Sequence, residues 1–262
     1  MRRFRNRTAP STGLMGPVAA LVFDLDGTLI DSTASILETV QAALAKTGRA
    51  PAPVAALRAH LSGGSRALCA RAAHLATSDP ALDEFVAEYQ ALYLAHAVPR
   101  LTFLPRAREL LEGLEGSPLA LCTNRPRPST DAVLKHLGLA RWFRSVVAGG
   151  DVAELKPSAL PLLAVANALG VEPEQLVMIG DSPDDVRAAQ RCGARSIAFT
   201  GGGVWDRSAL AGLEPTCLVD HLDEVAAELG RMNGQARIGA QPSQEQRLGV
   251  TLAVGAQRSF VG

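Results

Sequence analysis

The chain has 262 residues, 47% of them hydrophobic, with 26 basic and 26 acidic side chains. Zero formal net charge gives no global pull toward nucleic acid or anionic lipid, and no apolar stretch is long enough to cross a bilayer, so neither partner is expected. Cys69, Cys122, Cys192 and Cys217 are scattered, with no C-x-x-C pair and no histidine at zinc-ligand spacing; this speaks against a disulfide framework or zinc site and for free thiols in a reducing cytosol.

Residues 1–17 open with Arg2, Arg3, Arg5 and Arg7 and no following hydrophobic stretch, which predicts a flexible basic tail and not a secretory signal. The apolar run from Val18 then stops abruptly at Asp24-Leu25-Asp26-Gly27-Thr28, the pattern of a buried parallel strand that ends in a turn. From 33 to 98 only helical patterns occur, over Ser32–Lys46, Val54–Leu61, Ser65–Ala76 and Leu82–His96. They predict a helical domain inserted after the first strand and lying over the strand ends as a lid. Strand patterns then alternate with helical ones. The strands are Leu119–Cys122, Ser145–Ala148, Leu176–Ile179 and Ser196–Phe199; the helices are Arg106–Leu114, Ser129–Leu137, Ser158–Leu169 and Pro183–Cys192. Pro157 and Pro183 suit first-turn positions, and Gly138, Gly170 and Gly193 suit C-terminal caps. Alternation of this kind implies an α/β fold, a parallel sheet with helices on both faces, built from 18–32 and 99–231. Residues 232–262 are rich in Gly, Gln, Ser and Arg and read as a second flexible tail.

Four short motifs fall at strand ends or helix starts, where a parallel sheet gathers them at one edge. Asp24 and Asp26, one residue apart, would repel each other without a cation. Mg²⁺ suits them, because it takes oxygen ligands and commonly bridges carboxylates and phosphate. Gly27 allows a tight turn and close approach of a ligand. Asp24 can attack phosphorus and carry an aspartyl-phosphate, while Asp26 protonates the leaving alcohol and later takes a proton from water. Thr123, with nearby backbone N–H groups and Asn124 beside it, can hold phosphate oxygens, and Lys156 supplies positive charge. Asp181 and Asp185 would complete a magnesium site with the first acid pair. Each piece alone has a plainer reading: turn residues, a solvated lysine, first-turn acids favoured by the helix dipole.

Taken together, the motifs resemble those of the haloacid dehalogenase superfamily phosphatases. Asp24-Leu25-Asp26-Gly27-Thr28-Leu29 is similar to the first family motif, Thr123-Asn124 to the second, Lys156-Pro157 to the third and Gly180-Asp181-Ser182-Pro183-Asp184-Asp185 to the fourth. The resemblance spans Val18 to Gly230. It implies a Rossmann-like core, a helical cap at 33–98, a Mg²⁺-dependent aspartyl-phosphate mechanism, and a small phosphorylated metabolite as partner in the cytoplasm. An aspartate at position 26 goes with the phosphatases and phosphomutases of the family. Within it the likeness is greatest to phosphoglycolate phosphatases, which makes 2-phosphoglycolate the expected substrate. Ser62, Gly63, Gly64, Ser65 and Arg66 resemble the cap loop of that branch, and also that of a branch acting on N-acetylmuramic acid 6-phosphate. They are the candidate substrate contacts, with Arg66 able to pair a carboxylate. Equally, Ser62 to Gly64 reads as an interhelix turn with Ser65 as N-cap and Arg66 on the surface. A β-phosphoglucomutase-like phosphomutase and a silent ligand-binding module are the competing readings. Monomer and homodimer are both compatible with the sequence. Two departures from the family pattern stand out: Pro105-Arg106 where a Pro-Gly is usual, and Thr200 to Trp205, which reads as a flexible loop at the rim of the site. His60, His74, His96, His136 and His221 match no family motif and read as surface or core residues.

Overall fold

The computed structural model describes residues 17–58 and 60–234. The tails expected at 1–17 and 232–262 therefore lie outside the described residues, apart from Pro17 and residues 232–234. The chain enters through β1 (Ala20–Phe23), buried along its whole length. Ala20 and Val22 pack into one hydrophobic cluster, Leu21 and Phe23 into another. Alternation of side chains along a strand sends them to opposite faces of the sheet.

A short strand β2 (Ile30–Asp31) leads into α1 (Thr33–Lys46), α2 (Val54–Arg58), α3 (Gly64–Ala73) and α4 (Pro80–Leu92). Pro80 opens α4, and the Asp79 side chain caps it by accepting from the Ala81 N–H. The helix continues through a π-helical turn, Tyr93–Ala97, and a 3₁₀ turn, Val98–Arg100. Strand β3 (Thr102–Phe103) then pairs antiparallel with β2, Ile30 against Phe103, and so ties the exit of the helical segment to its entrance.

The remainder alternates. It runs α5 (Ala107–Gly113), β4 (Leu119–Pro126), α6 (Arg127–Leu137), β5 (Ser145–Gly149), α7 (Leu160–Leu169), β6 (Leu176–Gly180), α8 (Pro183–Cys192), β7 (Arg195–Phe199), α9 (Arg207–Ala211), β8 (Cys217–Val219) and α10 (Val225–Met232). Gly138, Gly170 and Gly193 close α6, α7 and α8 in the left-handed conformation that glycine adopts without steric cost. The sheet order is β5-β4-β1-β6-β7-β8, and every neighbouring pair is parallel. The fold is thus the expected α/β parallel sheet flanked by helices. The chain departs from central β1 in both directions, and that switch point is where open sheets bind ligands.

Some expected boundaries move. Strand β4 runs to Pro126, four residues past Cys122. Helix α7 begins at Leu160 with Pro161 in its first turn, so Pro157 does not start a helix. It sits in a turn closed by Ser158 N–H on the Leu155 carbonyl at 2.9 Å, which aims Lys156 into the sheet edge. Helix α2 ends at Arg58, and α3 starts at Gly64 with Gly63 at the cap position, so Ser65 is inside the helix and is not its N-cap. Strands β2, β3 and β8 have two or three residues, too few for a period-2 pattern to register.

Candidate active site

Asp24 follows β1 directly, and its N–H donates to the Ile179 carbonyl of β6 at 2.9 Å. The next turn is narrow: Leu29 and Ile30 N–H both donate to the Leu25 carbonyl, and Gly27 N–H donates to that of Ile30. Gly27 has φ +79°, and a Cβ there would overlap the Asp181 carboxylate. Only glycine lets this turn lie against that acid.

Lys156 joins the carboxylates. Its Nζ donates to Asp24 Oδ1 at 2.8 Å, to Asp185 Oδ1 at 2.6 Å and to the Cys122 carbonyl at 2.7 Å. An ammonium has three hydrogens, so all are used. Burial works against the Lys156 charge, but Asp185 and Asp24 beside it prevail and hold its pKa above the ordinary lysine range. The sequence reading of a solvated lysine therefore fails: Lys156 is 3% exposed.

Asp185 serves two structures at once. Its Oδ2 accepts from Ser182 N–H at 3.0 Å and Ser182 Oγ at 2.6 Å, and Ser182 in turn caps α8 through the Asp185 N–H. Its Oδ1 faces Lys156. Asp181, at the end of β6, accepts from Thr28 Oγ1 at 3.1 Å. One carboxylate oxygen from each of Asp24, Asp181 and Asp185 lies within 4.8 Å of the others, and all three residues are buried. Burial raises the Asp24 carboxyl to about 7, against the pull of Lys156. Burial, with the charges of Asp24 and Asp185, raises Asp181 well above the carboxylate range. Three clustered acids have one ammonium among them, bonded to Asp24 and Asp185 and not to Asp181, and their donors are hard oxygens, so the donor set fits a divalent cation such as Mg²⁺.

Asp26 stands apart from that carboxylate group, although its position in the sequence suggests a metal ligand. It accepts from Ser32 Oγ at 2.5 Å and receives the Arg125 guanidinium side-on, Nε to Oδ2 at 2.9 Å and Nη2 to Oδ1. Thr123 lines the same pocket and accepts from the Arg125 N–H at 3.2 Å. Asn124 reaches sideways: Nδ2 donates to the carbonyls of Lys156 and Ser62, each at 2.8 Å.

The cap residues divide. Ser62, Gly64 and Ser65 line the pocket with Asp24, Thr123 and Lys156. Gly64, at φ +82°, is pressed so close to the core that a Cβ would lie 2.9 Å from Leu155 Cδ1 and 3.2 Å from the Asn124 carbonyl. Gly63 and Arg66 are not part of that lining. Arg66 lies on the exposed side of α3, paired with Asp83 at 2.5 Å and with the Thr77 carbonyl at 2.8 Å. One residue is 100° around a helix, so Ser65 facing the pocket turns Arg66 away. The carboxylate-reading role expected of Arg66 has no support in this geometry.

The expected set omits several residues that share the pocket: Arg125, Ser32, Tyr89, Tyr93, Ser129 and Trp205. Arg125 carried a usable signal, since it follows Thr123-Asn124 on the same strand. Tyr89 and Tyr93 carried none, because an aromatic at helical spacing reads as core. Trp205 bears out a place for the Thr200–Trp205 segment at the site, and there Gly202 packs on Asp181 and Gly27. Of the histidines, His74 ends α3 in a left-handed conformation, and none of the five lines the pocket.

The geometry has counterparts among known proteins. The family model of haloacid dehalogenase-like hydrolases matches residues 18–193. The phosphoglycolate phosphatase of Rhodospirillum rubrum is 35% identical over 234 residues, covering 86% of this chain and 96% of its own. That of Xanthomonas campestris is 37% identical over 188 residues, covering 70% and 83%. A crystal structure of a predicted phosphoglycolate phosphatase from Haemophilus somnus superimposes with a TM-score of 0.74 at 24% identity, over 82% of this chain and 99% of that one, a likeness of fold. The chain belongs to the haloacid dehalogenase-like hydrolases and is an enzyme of their phosphatase kind.

Proposed function

We propose that the protein is a Mg²⁺-dependent phosphomonoester hydrolase of the cytoplasm, acting through an aspartyl-phosphate on a small metabolite, 2-phosphoglycolate. The reading is carried by one observation: Lys156 Nζ bonds both Asp24 and Asp185, and one carboxylate oxygen of Asp181 lies within 4.8 Å of one from each of those two acids. The names of the relatives support the substrate.

A cation held by Asp24, Asp181 and Asp185 would neutralise the clustered carboxylates and withdraw charge from the phosphoryl oxygens. The chain's own groups do the rest. An Asp24 oxygen attacks phosphorus, and the bond from phosphorus to the leaving oxygen breaks. Asp26 gives that oxygen a proton. In the second half a water oxygen attacks phosphorus, Asp26 takes its proton, and the bond to Asp24 breaks, releasing phosphate. In this reading Thr123, which lines the pocket, holds a phosphoryl oxygen, and Lys156, bonded to Asp24, fixes that acid and offsets the charge that develops.

The test is phosphate release with Mg²⁺ from 2-phosphoglycolate, sugar phosphates, nucleoside monophosphates and pyrophosphate. Turnover is expected to be fastest on 2-phosphoglycolate and lost in Asp24→Asn. Failure of the wild type to release phosphate from any of them, while a ligand still binds, would overturn the enzymatic reading.

A further inference from the structure

Among the described residues two cations, Lys156 and Arg125, line the pocket, and of these Arg125 has hydrogens to spare. Lys156 gives all three to Asp24, Asp185 and the Cys122 carbonyl. Arg125 gives Nε and one Nη2 hydrogen to Asp26, and its other Nη2 hydrogen to Tyr93 Oη at 2.8 Å. Among the described residues no acceptor takes the two Nη1 hydrogens. The Arg125 side chain is 5% exposed and borders the pocket. Its guanidinium lies 4.6 Å from the centre of the Tyr93 ring, and Tyr93 opens the π-helical turn that follows α4. Burial opposes its charge, but Asp26 and Tyr93 hold its pKa above the ordinary range.

A buried, permanently charged fork with an unspent nitrogen facing a ligand pocket is suited to a second anionic group on the substrate. We infer that Arg125 binds the carboxylate of the substrate through Nη1 while its Nε and Nη2 hold Asp26, so that one guanidinium places both the acid end of the substrate and the proton donor. The inference rests on the reading of the site as one for 2-phosphoglycolate, and it gives Arg125 the part that Arg66 cannot play. A substrate whose remote end is neutral would leave Nη1 desolvated and unpaired, which turns the same nitrogen into a device for rejecting it.

The experiment compares kcat/KM for 2-phosphoglycolate with that for 2-hydroxyethyl phosphate, in which a neutral CH₂OH replaces the carboxylate. The ratio cancels any effect on Asp26, because both esters need the same proton transfer. The wild type is expected to favour 2-phosphoglycolate, and Arg125→Met is expected to lower the ratio by roughly 10- to 100-fold, the range for a lost hydrogen bond to a charged group. Arg125→Lys keeps a cation in place and guards against loss of folding in the first variant. Its ammonium lacks the planar fork, so the ratio should fall by several-fold. A wild-type preference that persists undiminished in the folded variants overturns the role of Arg125 alone. No preference in the wild type overturns the carboxylate-bearing substrate itself, and this inference with it.

Discussion

The Asn124 side chain brackets the backbone of Lys156: Nδ2 donates to the Lys156 carbonyl and Oδ1 accepts from the Lys156 N–H, both at 2.8 Å. The same Nδ2 also reaches the Ser62 carbonyl, so one amide ties β4 to the lysine loop and to the helical segment. Asn124 is thus a positioning residue. It sets where Nζ lies relative to Asp24 and Asp185, and nothing in the geometry requires it to touch phosphate.

Asn124→Ala removes three hydrogen bonds in a buried setting. It is expected to cost about 1–3 kcal/mol of stability and to lower kcat by roughly 10- to 100-fold with a smaller change in KM. Steady-state kinetics alongside thermal unfolding checks this. A variant with full kcat and a lowered melting point would show that the bracket is structural only.

A second prediction concerns Gly202. A Cβ there would overlap the Asp181 carboxylate and lie 2.5 Å from the Gly27 carbonyl oxygen. Gly202→Ala must therefore displace Asp181 or its own loop. The expected outcome is a higher Mg²⁺ concentration for half-maximal activity, by about tenfold, since outer contacts that orient a ligand typically carry that much. An unchanged Mg²⁺ dependence would mean that the 200–205 loop gives way without moving the acid.

Gly202 also shows what was legible in the sequence. The Thr200–Trp205 run reads as a flexible loop because glycine removes every pattern, yet here the missing side chain is what packs against Asp181. Absence of a Cβ leaves no periodic trace. Five of the six strands of the parallel sheet were legible because each is an apolar run with a turn at its end, and Pro183 to Cys192 because Pro183 and Gly193 mark its termini. Arg125 and Tyr93 meet across 32 positions, and no local rule encodes such a pair. Arg66 shows the converse: a glycine-rich loop before an arginine suggests a ligand contact, while the turn of α3 carries that side chain to solvent.

Arg106 sits at φ +67°, just before α5, where an L-residue pays for left-handed backbone. Its guanidinium makes one exposed contact to Glu109 at 3.4 Å, worth little. Arg106→Gly removes the crowding and adds some entropy to the unfolded chain, for a net gain of about 0.5–1 kcal/mol. For a domain of this size that is a rise in melting temperature of about 1–4 °C. Phosphatase activity should be unchanged, as Arg106 does not border the pocket. A lower melting temperature would show that the arginine side chain supplies more than its backbone costs.

Alkaline pH should weaken the fold before it alters the chemistry. Burial pushes the thiols of Cys69 and Cys122 from 9.0 up to about 12, and the Tyr93 phenol from 10.0 up to about 12. These folded-state values lie above the unfolded ones, so their contribution is fully present below about pH 9 and is lost as pH rises toward 12. Each fully buried thiol accounts for about 1.4 kcal/mol per pH unit in that window. Melting temperatures at pH 8, 9 and 10 test this; a flat profile would contradict it. The same burial predicts that Cys69 and Cys122 resist a thiol reagent at pH 8 until the protein is unfolded.

Asp181→Asn separates the stability of the acid cluster from its use. In the protein without a divalent cation, Asp181 is buried beside Asp24 and Asp185, and the single nearby ammonium is bonded to those two and not to Asp181. Its carboxyl is therefore raised well above the usual range, first by burial and then by the neighbouring charges. Asparagine removes the like charge and can still accept from Thr28 Oγ1 through its amide oxygen. In chelator the variant is expected to melt about 2–4 °C above the wild type, the shift for roughly 1 kcal/mol in a chain of this length. Added Mg²⁺ should raise the wild-type melting temperature by mass action and the variant's far less, because one oxygen ligand has been lost. Activity should fall by at least 100-fold. A variant that melts below the wild type in chelator would show that the Asp181 carboxylate holds the turn at Gly27 in place by contacts that outweigh its repulsion.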